Sequence, residues 1–284
     1  MRNLSDINVI KSVMGKHGVT FNKGLGQNFL VDPNVCPAMA DAAGLDSNTC
    51  AIEIGPGVGV LTAELCKRAG KVLSFELDER LLPVLAETLG EFNNVEIINQ
   101  DIMKADLAGI IEEKCKGMDI AVCANLPYYI TSPIIMMLLE SRLPIKSITV
   151  MVQKEAADRL CAEVGSRDAG AVTVAVNYFS EAEKLFFVPR DSFLPPPKVN
   201  SEVIQLTVRK EPPVKVDDEA FFFKVVKAAF SQRRKTAENS ISAGLGVEKS
   251  AVADALSQLG LERTVRAEKL TMENLADLSK LLNK

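Results

Sequence analysis

The sequence predicts a mixed α/β domain built on a parallel sheet, followed by a small all-helical domain. Short apolar runs rich in β-branched residues alternate with segments of helical period over most of the chain. That alternation is typical of parallel strands joined by crossover helices. The run Glu211-Pro212-Pro213 then interrupts the chain, and the segments after it keep the helical period without strand signals. We therefore place an α/β domain at residues 1–211 and a helical domain at 212–284.

The predicted elements follow one another in a simple order. Five strand-like runs come first, at residues 50–54, 72–77, 95–99, 120–124 and 148–152. Three more lie at 172–178, 185–188 and 203–208, the last two joined by a stretch too rich in proline for a helix or a central strand. The helical domain is predicted to contain helices at 221–230, 249–259 and 272–282.

Composition narrows the class of protein. Hydrophobic residues make up 47% and charged residues 25% of the chain, which is ordinary for a globular protein with a sizeable core. The N-terminus is polar and unlike a signal peptide, and the most apolar segment, 128–139, is too short to span a bilayer. We expect a cytoplasmic protein with no membrane partner.

Cysteine and histidine usage excludes several chemistries. The six cysteines include no Cys-x-x-Cys pair, so neither a disulfide framework nor a zinc site is expected, and we predict free thiols in a reducing compartment. The chain has one histidine, His17. A Ser-His-Asp mechanism or a multi-histidine metal centre would depend on that residue alone, so we expect no metal.

Charge is unevenly distributed along the chain. The net charge is −4, yet residues 1–24 carry +3 and residues 221–240 carry +4, the latter including Arg233, Arg234 and Lys235. Two basic segments on an acidic body suit a polyanion bound at one face, since phosphate contacts depend on local charge. A solvated helix surface is the alternative for such a run.

A glycine-rich turn follows the first predicted strand. Gly55, Gly57 and Gly59 come directly after Glu53-Ile54, at the expected start of a helix, where missing side chains let a nucleotide-like ligand approach the backbone. A dinucleotide fingerprint would place its third glycine at position 60, which is Val60. The spacing therefore disfavours a nicotinamide dehydrogenase and resembles the cofactor loop of Rossmann-like class I methyltransferases that use S-adenosylmethionine (SAM).

Four polar residues recur at the ends of successive predicted strands. Glu53, Glu76, Asp101 and Asn125 are spaced by 23, 25 and 24 residues, about one β-α unit each. Right-handed crossovers would bring all four to one rim of the sheet, where open α/β folds bind ligands. There Glu76 would accept hydrogen bonds from ribose hydroxyls and Asp101 from an adenine amino group. Each residue alone reads equally well as a helix cap.

The segment Asn125-Leu126-Pro127-Tyr128 predicts chemistry on an exocyclic base amine. The Asn125 side-chain oxygen and the Leu126 carbonyl would accept both amine hydrogens and aim the nitrogen lone pair at a methyl donor. Pro127 would fix the turn, and Tyr128 would stack on the base. A plain strand end followed by a proline turn is the structural alternative.

Five segments together resemble the ribosomal RNA adenine dimethyltransferases. They begin at Gly24-Leu25-Gly26-Gln27-Asn28-Phe29-Leu30 and end at residues 229–236, with segments 53–59, 125–128 and 192–199 between them. The resemblance implies a SAM cofactor bound by Asn28, Leu30, Gly55, Gly57, Glu76, Asp101 and Asn125. It also implies that Phe193 covers a flipped base opposite Tyr128, because two rings recover the stacking lost on extrusion. In this reading Arg233, Arg234 and Lys235 bind RNA.

The closest resemblance is to enzymes that dimethylate two adjacent adenines near the 3' end of small-subunit (16S) ribosomal RNA. The implied partner is that RNA within an immature 30S subunit, and we expect a monomer. The related large-subunit (23S) enzymes of macrolide resistance are an alternative, although Leu126, where they usually have isoleucine, and the basic segment favour the small subunit. A ribosome assembly factor with the same fold is a second alternative.

Overall fold

The structure is a computed structural model that describes residues 4–19 and 28–283. Residues 24–27, which begin the first of the five segments, lie outside the described residues. The strands are β1 (Phe29–Leu30), β2 (Thr49–Ile54), β3 (Lys71–Phe75), β4 (Val95–Ile98), β5 (Asp119–Asn125), β6 (Ile145–Gln153), β7 (Ser180–Val188), β8 (Phe193–Leu194) and β9 (Ser201–Val208).

Seven of these strands form one sheet in the order β4-β3-β2-β5-β6-β9-β7. The five strands from β4 to β6 pair in parallel, and β9 runs antiparallel to β6. Every residue of the central strand β2 is buried, as expected for a parallel sheet covered on both faces. The predicted α/β fold class is confirmed, since the first five predicted runs overlap β2 to β6.

Helices connect these strands and make up most of the rest of the chain. They are α1 (Ile7–Lys16), α2 (Val35–Ala42), α3 (Val60–Cys66), α4 (Leu82–Thr88), α5 (Leu107–Lys114), α6 (Thr131–Glu140), α7 (Lys154–Leu160), α8 (Ala171–Phe179), α9 (Glu219–Phe230), α10 (Ala237–Leu245), α11 (Lys249–Gln258) and α12 (Met272–Leu282). The helices predicted at 221–230, 249–259 and 272–282 correspond to α9, α11 and α12.

The predicted strand at residues 172–178 is wrong, because this segment forms helix α8. Its valines, threonine and tyrosine favour strands, but most of the segment is buried, and periodicity cannot separate a short buried helix from a buried strand. The Gly170 amide donates to Thr173 Oγ1 at 2.9 Å and marks the start of the helix. Tyr178 then packs against Phe222 and Phe223 of α9.

Helix α10 is absent from the sequence prediction. Its boundaries do carry local signals, because the Thr236 hydroxyl accepts a hydrogen bond from the Asn239 amide and Gly246 ends the helix at a φ of 70°. The hydrophobic pattern between them is weak, since Ser240 and Ser242 occupy buried positions. A search for caps rather than apolar spacing would have found this helix.

The chain forms two compact units. One contains the chain up to Ala157 together with Glu183–Val208, and the other contains Asp158–Ala182 together with the chain from Arg209 onward. The sequence-based boundary at 211 lies just after Val208, and the segment Asp158–Ala182 is grouped with the helical part of the chain. The second unit has an aromatic cluster of Tyr178, Phe179, Phe222 and Phe223 at its centre.

The prediction that all cysteines are free thiols is wrong for one pair. Cys50 at the start of β2 and Cys115 just after α5 are joined by a disulfide, with Cα atoms 6.0 Å apart. The 65 residues between them hide this proximity in the sequence. Cys36, Cys66 and Cys123 are free and buried, and Cys161 is free and partly buried.

Candidate active site

One cavity in the first unit lies at the carboxyl ends of β2 to β5. Eleven of the residues singled out in the sequence line it: Asn28, Leu30, Gly55, Gly57, Glu76, Asp101, Asn125, Leu126, Pro127, Tyr128 and Phe193. They come from segments far apart in the chain. Parallel strands joined by helices bring such residues together, because all the carboxyl ends face the same edge of the sheet.

The glycine-rich turn forms one wall of this cavity. Gly55 and Gly57 have φ values of 73° and 60°, in the left-handed region that favours glycine. A side-chain carbon on Gly57 would come within 3.2 Å of the Phe29 ring, whereas one on Gly55 would meet open space. Gly59 then caps the N-terminus of α3. The turn therefore exposes backbone to the cavity beside a helix N-terminus, which suits a polar or anionic ligand group.

Two buried carboxyl groups face the cavity from β2 and from the residue after β3. Burial raises the pKa of Glu53 to about 7, against the opposing effect of hydrogen bonds from Thr62 and Ser74 and with a further contribution from the charge of Glu76. Burial also raises the pKa of Glu76, although its Oε1 accepts a hydrogen bond from the Asp78 amide at 2.7 Å. Glu76 is 7% exposed, so a ligand hydroxyl there would meet a desolvated acceptor.

Asp101 follows β4, one strand further along the rim. Its Oδ1 accepts a hydrogen bond from the Met103 amide at 3.0 Å, which holds the side chain at the start of a turn. Its neighbours Gln100 and Ile102 also line the cavity and were not singled out in the sequence. The position of Asp101 at a strand end is the signal that would have indicated them.

The segment Asn125-Leu126-Pro127-Tyr128 leaves β5 on the opposite side of the cavity. The Leu126 amide donates to the Met151 carbonyl at 3.2 Å, which continues the pairing of β5 with β6 past the strand end. The Tyr128 hydroxyl lies 2.8 Å from Ser201 Oγ of β9, and burial raises the Tyr128 pKa. Among the described residues, the Asn125 side-chain amide has no hydrogen-bond partner. Its donor and acceptor are thus available to a ligand.

A two-stranded ribbon closes the cavity from a third side. β1 pairs with β8, so that Phe29 lies opposite Leu194 and Leu30 opposite Phe193. Phe193 is 2% exposed and belongs to the same buried cluster as Leu30. Its ring thus borders the cavity from the core, with little surface free outside the cavity.

The basic segment Arg233, Arg234 and Lys235 belongs to the second unit. It forms the turn between α9 and α10, and all three residues are exposed. Arg233 Nη2 lies 3.5 Å from the Arg167 carbonyl within the same unit.

Two further findings concern the described part of the chain. It contains no group of three or more His, Cys, Asp or Glu side chains that could hold a metal ion. It also contains no helix that is long and apolar enough to cross a membrane.

A parallel sheet with a glycine turn and acidic strand ends defines the chain as an α/β enzyme of the Rossmann-like methyltransferase class. Residues 18–284 match the ribosomal RNA adenine dimethylase family. The chain belongs to that family, and the resemblance seen in its sequence is confirmed. It is a methyltransferase.

Individual relatives agree with this assignment. A protein of Geobacillus sp. (strain WCH70) named ribosomal RNA small subunit methyltransferase A is 50% identical over 276 residues, covering 96% of this chain and 95% of that protein. The protein of the same name from Geobacillus thermodenitrificans is 51% identical, covering 96% and 94%. A dimethyladenosine transferase from Plasmodium falciparum has a similar structure, with a TM-score of 0.73 at 26% identity over 88% of this chain and 95% of that one. The 23S rRNA methyltransferase ErmE gives a TM-score of 0.69 at 28% identity over 90% and 100%.

Proposed function

We propose that this protein uses SAM to dimethylate the N6 amines of two adjacent adenines near the 3' end of small-subunit ribosomal RNA, within an immature 30S subunit in the cytoplasm. The observation that carries the proposal is the unpartnered Asn125 amide, which faces the same cavity as Tyr128 and the glycine turn. Relatives about half identical over nearly the whole chain and named small subunit methyltransferases support this RNA over the large-subunit alternative.

The cavity has the features that SAM requires. Gly55 leaves open space where a side chain would otherwise stand, and Glu76 offers a desolvated carboxylate for the ribose hydroxyls. Asp101 lies one strand further along, where an adenine amino group would be accepted. Asn28 and Leu30 border the cavity beside Gly57. When bound, the cofactor supplies an electrophilic methyl group.

The other wall positions the amine that receives the methyl group. An exocyclic base amine is a poor nucleophile, because its lone pair is delocalised into the ring. Hydrogen bonds to the Asn125 side-chain oxygen and the Leu126 carbonyl favour a pyramidal nitrogen with a localised lone pair. The nitrogen–methyl bond forms as the sulfur–methyl bond breaks, and the methylated amine then loses its proton to water.

Two rings would hold the extruded base during transfer. Tyr128 is fixed by the contact of its hydroxyl with Ser201, and Phe193 is fixed by the β1–β8 pairing. Aromatic rings on both faces of a base replace the stacking that it loses on leaving its neighbours. Rigid rings are useful here, because the nitrogen must stay aligned with the methyl group.

We assign RNA recognition outside the cavity to the helical domain at 212–284. The exposed turn with Arg233, Arg234 and Lys235 provides cations suited to phosphate contacts. The domain at 1–211 carries the methyl transfer.

The direct test is transfer of labelled methyl from SAM to isolated, unmethylated small subunits, with nucleoside analysis of the product. We expect N6-dimethyladenosine in small-subunit RNA, none in large subunits, and no transfer by Asn125→Ala. Labelling of large subunits alone would establish the macrolide-resistance activity instead. Binding to small subunits without any transfer would establish the assembly-factor role.

A further inference from the structure

Glu53 is a buried carboxyl group for which the proposed reaction gives no role. It is 1% exposed, stands at the end of β2 directly before the glycine turn, and lines the cavity. Its Oε2 accepts two hydrogen bonds, from Thr62 Oγ1 at 2.6 Å and from Ser74 Oγ at 2.8 Å. Its Oε1 accepts none from the residues that the structure describes, yet it is not sealed in the protein interior. One oxygen of this carboxyl is therefore anchored, and the other is open to the cavity.

The surroundings of Glu53 contain no compensating cation. The ionisable groups that act on it or that it acts on are Glu76 after β3, Cys36 of α2, Cys66 of α3 and Cys123 of β5. Further out are Asp32 and Glu64, both acidic, and Arg68, which is paired with Asp41 and Glu64. Burial raises the pKa values of the three cysteines, so these thiols stay neutral. An ionised carboxylate at this position thus lacks the positive partner that buried charges normally have.

We propose that ionised Glu53 receives the positive charge on the methionyl part of SAM, and that binding of this donor drives a proton from the Glu53 carboxyl into solvent. The inference rests on the proposed function, because it takes SAM as the ligand of this cavity. The protonated acid of the free protein becomes a carboxylate when the cation arrives, and the released proton passes to the buffer. No bond other than the O–H bond changes.

Burial makes the exchange measurable near neutral pH. With a Glu53 pKa of about 7, the free protein holds both protonation states in similar amounts at pH 7. A cation a few ångströms away favours the carboxylate and lowers the pKa in the complex. Below pH 7 the donor must first displace the proton, so SAM affinity should fall by about tenfold between pH 8 and pH 6.

The primary test is calorimetric titration of the full chain with SAM at pH 7 in two buffers of different ionisation enthalpy. The dependence of the apparent enthalpy on buffer should give release of about half a proton per SAM bound. Titration with S-adenosylhomocysteine identifies the charge, because this product keeps the ammonium group and lacks the sulfonium. Equal release with both ligands assigns the ammonium, and release with SAM alone assigns the sulfonium. Absence of proton release with SAM would overturn the inference.

Three variants assign the released proton. Glu53→Gln should abolish the release and flatten the pH dependence of SAM affinity. Glu76→Gln, which neutralises the other buried carboxyl, should retain a release, and His17→Gln, which removes the chain's one imidazole, should leave it unchanged. Loss of the release in Glu76→Gln with retention in Glu53→Gln would refute the assignment.

A variant-free measurement protects the test against misfolding of Glu53→Gln. Infrared difference spectra of the parent chain at pH 6 should show loss of a protonated carboxylic acid band when SAM binds. An unchanged band would contradict the inference. Failure of the proposed function looks different, since the parent chain would then not bind SAM or would not methylate small subunits.

Discussion

The Asn125 side-chain amide has its hydrogen-bonding capacity free at the cavity wall. Asn125→Ala removes an acceptor needed in the transition state and no phosphate contact, so turnover should fall while RNA still binds. Loss of one such positioned group costs on the order of a hundredfold to a thousandfold in rate. The measurement is single-turnover methylation of small subunits at saturating SAM. A rate within about threefold of the parent would make Asn125 a structural turn residue.

Glu76 is predicted to hold the cofactor through its ribose. Glu76→Ala should weaken SAM binding by about 1.5 to 3 kcal/mol, the usual value for hydrogen bonds to a charged group. Equilibrium titration measures this change directly. Glu79→Ala, which removes an exposed carboxylate three residues later, is the matched control and should leave the dissociation constant unchanged.

Glu53 should make the protein less stable above neutral pH. Its folded-state pKa is raised, so its contribution to stability is fully present below about pH 4.5 and is lost as the pH rises through about 7. A shift of this size corresponds to about 3 kcal/mol. Glu53→Gln should therefore unfold at a higher denaturant concentration than the parent at pH 8, with a smaller difference at pH 5. Equal pH dependence in the two proteins would show that Glu53 ionises freely when folded.

Sequence patterns reach some of these residues and miss others for a physical reason. Glu76 and Asn125 end strands in a repeating β-α unit, so chain topology alone brings them to one rim. The environment of Glu53 depends on Thr62 and Ser74, which lie nine and 21 residues away on different elements. No local pattern encodes which hydroxyl reaches a buried carboxylate.

Helices α9 and α10 cross at a point where only glycine fits. A side-chain carbon on Gly244 would lie 2.6 Å from Cβ of Ala228. Alanine is ordinarily better than glycine in a helix by about 1 kcal/mol, but overpacking a tight contact costs about 1 to 3 kcal/mol. Gly244→Ala should therefore lower the thermal midpoint measured by circular dichroism. Gly15→Ala in α1, where nothing lies within 4 Å, should leave the midpoint unchanged or raise it.

The two errors at this scale share a cause. Helix α8 has the composition of a strand, and α10 has polar residues at buried positions, so tertiary packing decides both against their local patterns. The strands β2 to β6 were predictable, because long apolar runs separated by helical segments have few other foldings.

The turn between α9 and α10 should determine the salt dependence of RNA binding by the whole protein. Replacing Arg233, Arg234 and Lys235 together by alanine should weaken binding and reduce the slope of log affinity against log salt by up to about 3. Affinity for SAM should not change. Lys116→Ala and Lys146→Ala together remove exposed cations from the first unit as a control. A slope equal to that of the parent would identify the segment as solvated helix surface.

Whole-chain properties are poor guides to this molecule. A net charge of −4 argues against a polyanionic partner, and only the local excess at 221–240 indicates one. Chain order likewise suggests one boundary near residue 211, whereas the segment Asp158–Ala182 groups with the later helices. Contacts between distant segments are the property that a linear reading cannot supply.

The pairing of β1 with β8 makes the cavity a shared boundary for two ligands. Leu30 and Phe193 are register partners, and each lines the cavity. A cofactor that fixes one strand therefore also fixes the strand that borders the base. Thermodynamic reciprocity then requires that the factor by which the cofactor tightens RNA binding equals the factor by which RNA tightens cofactor binding. A competitor that occupies only the cofactor space would thus alter the affinity for the ribosomal subunit without touching it.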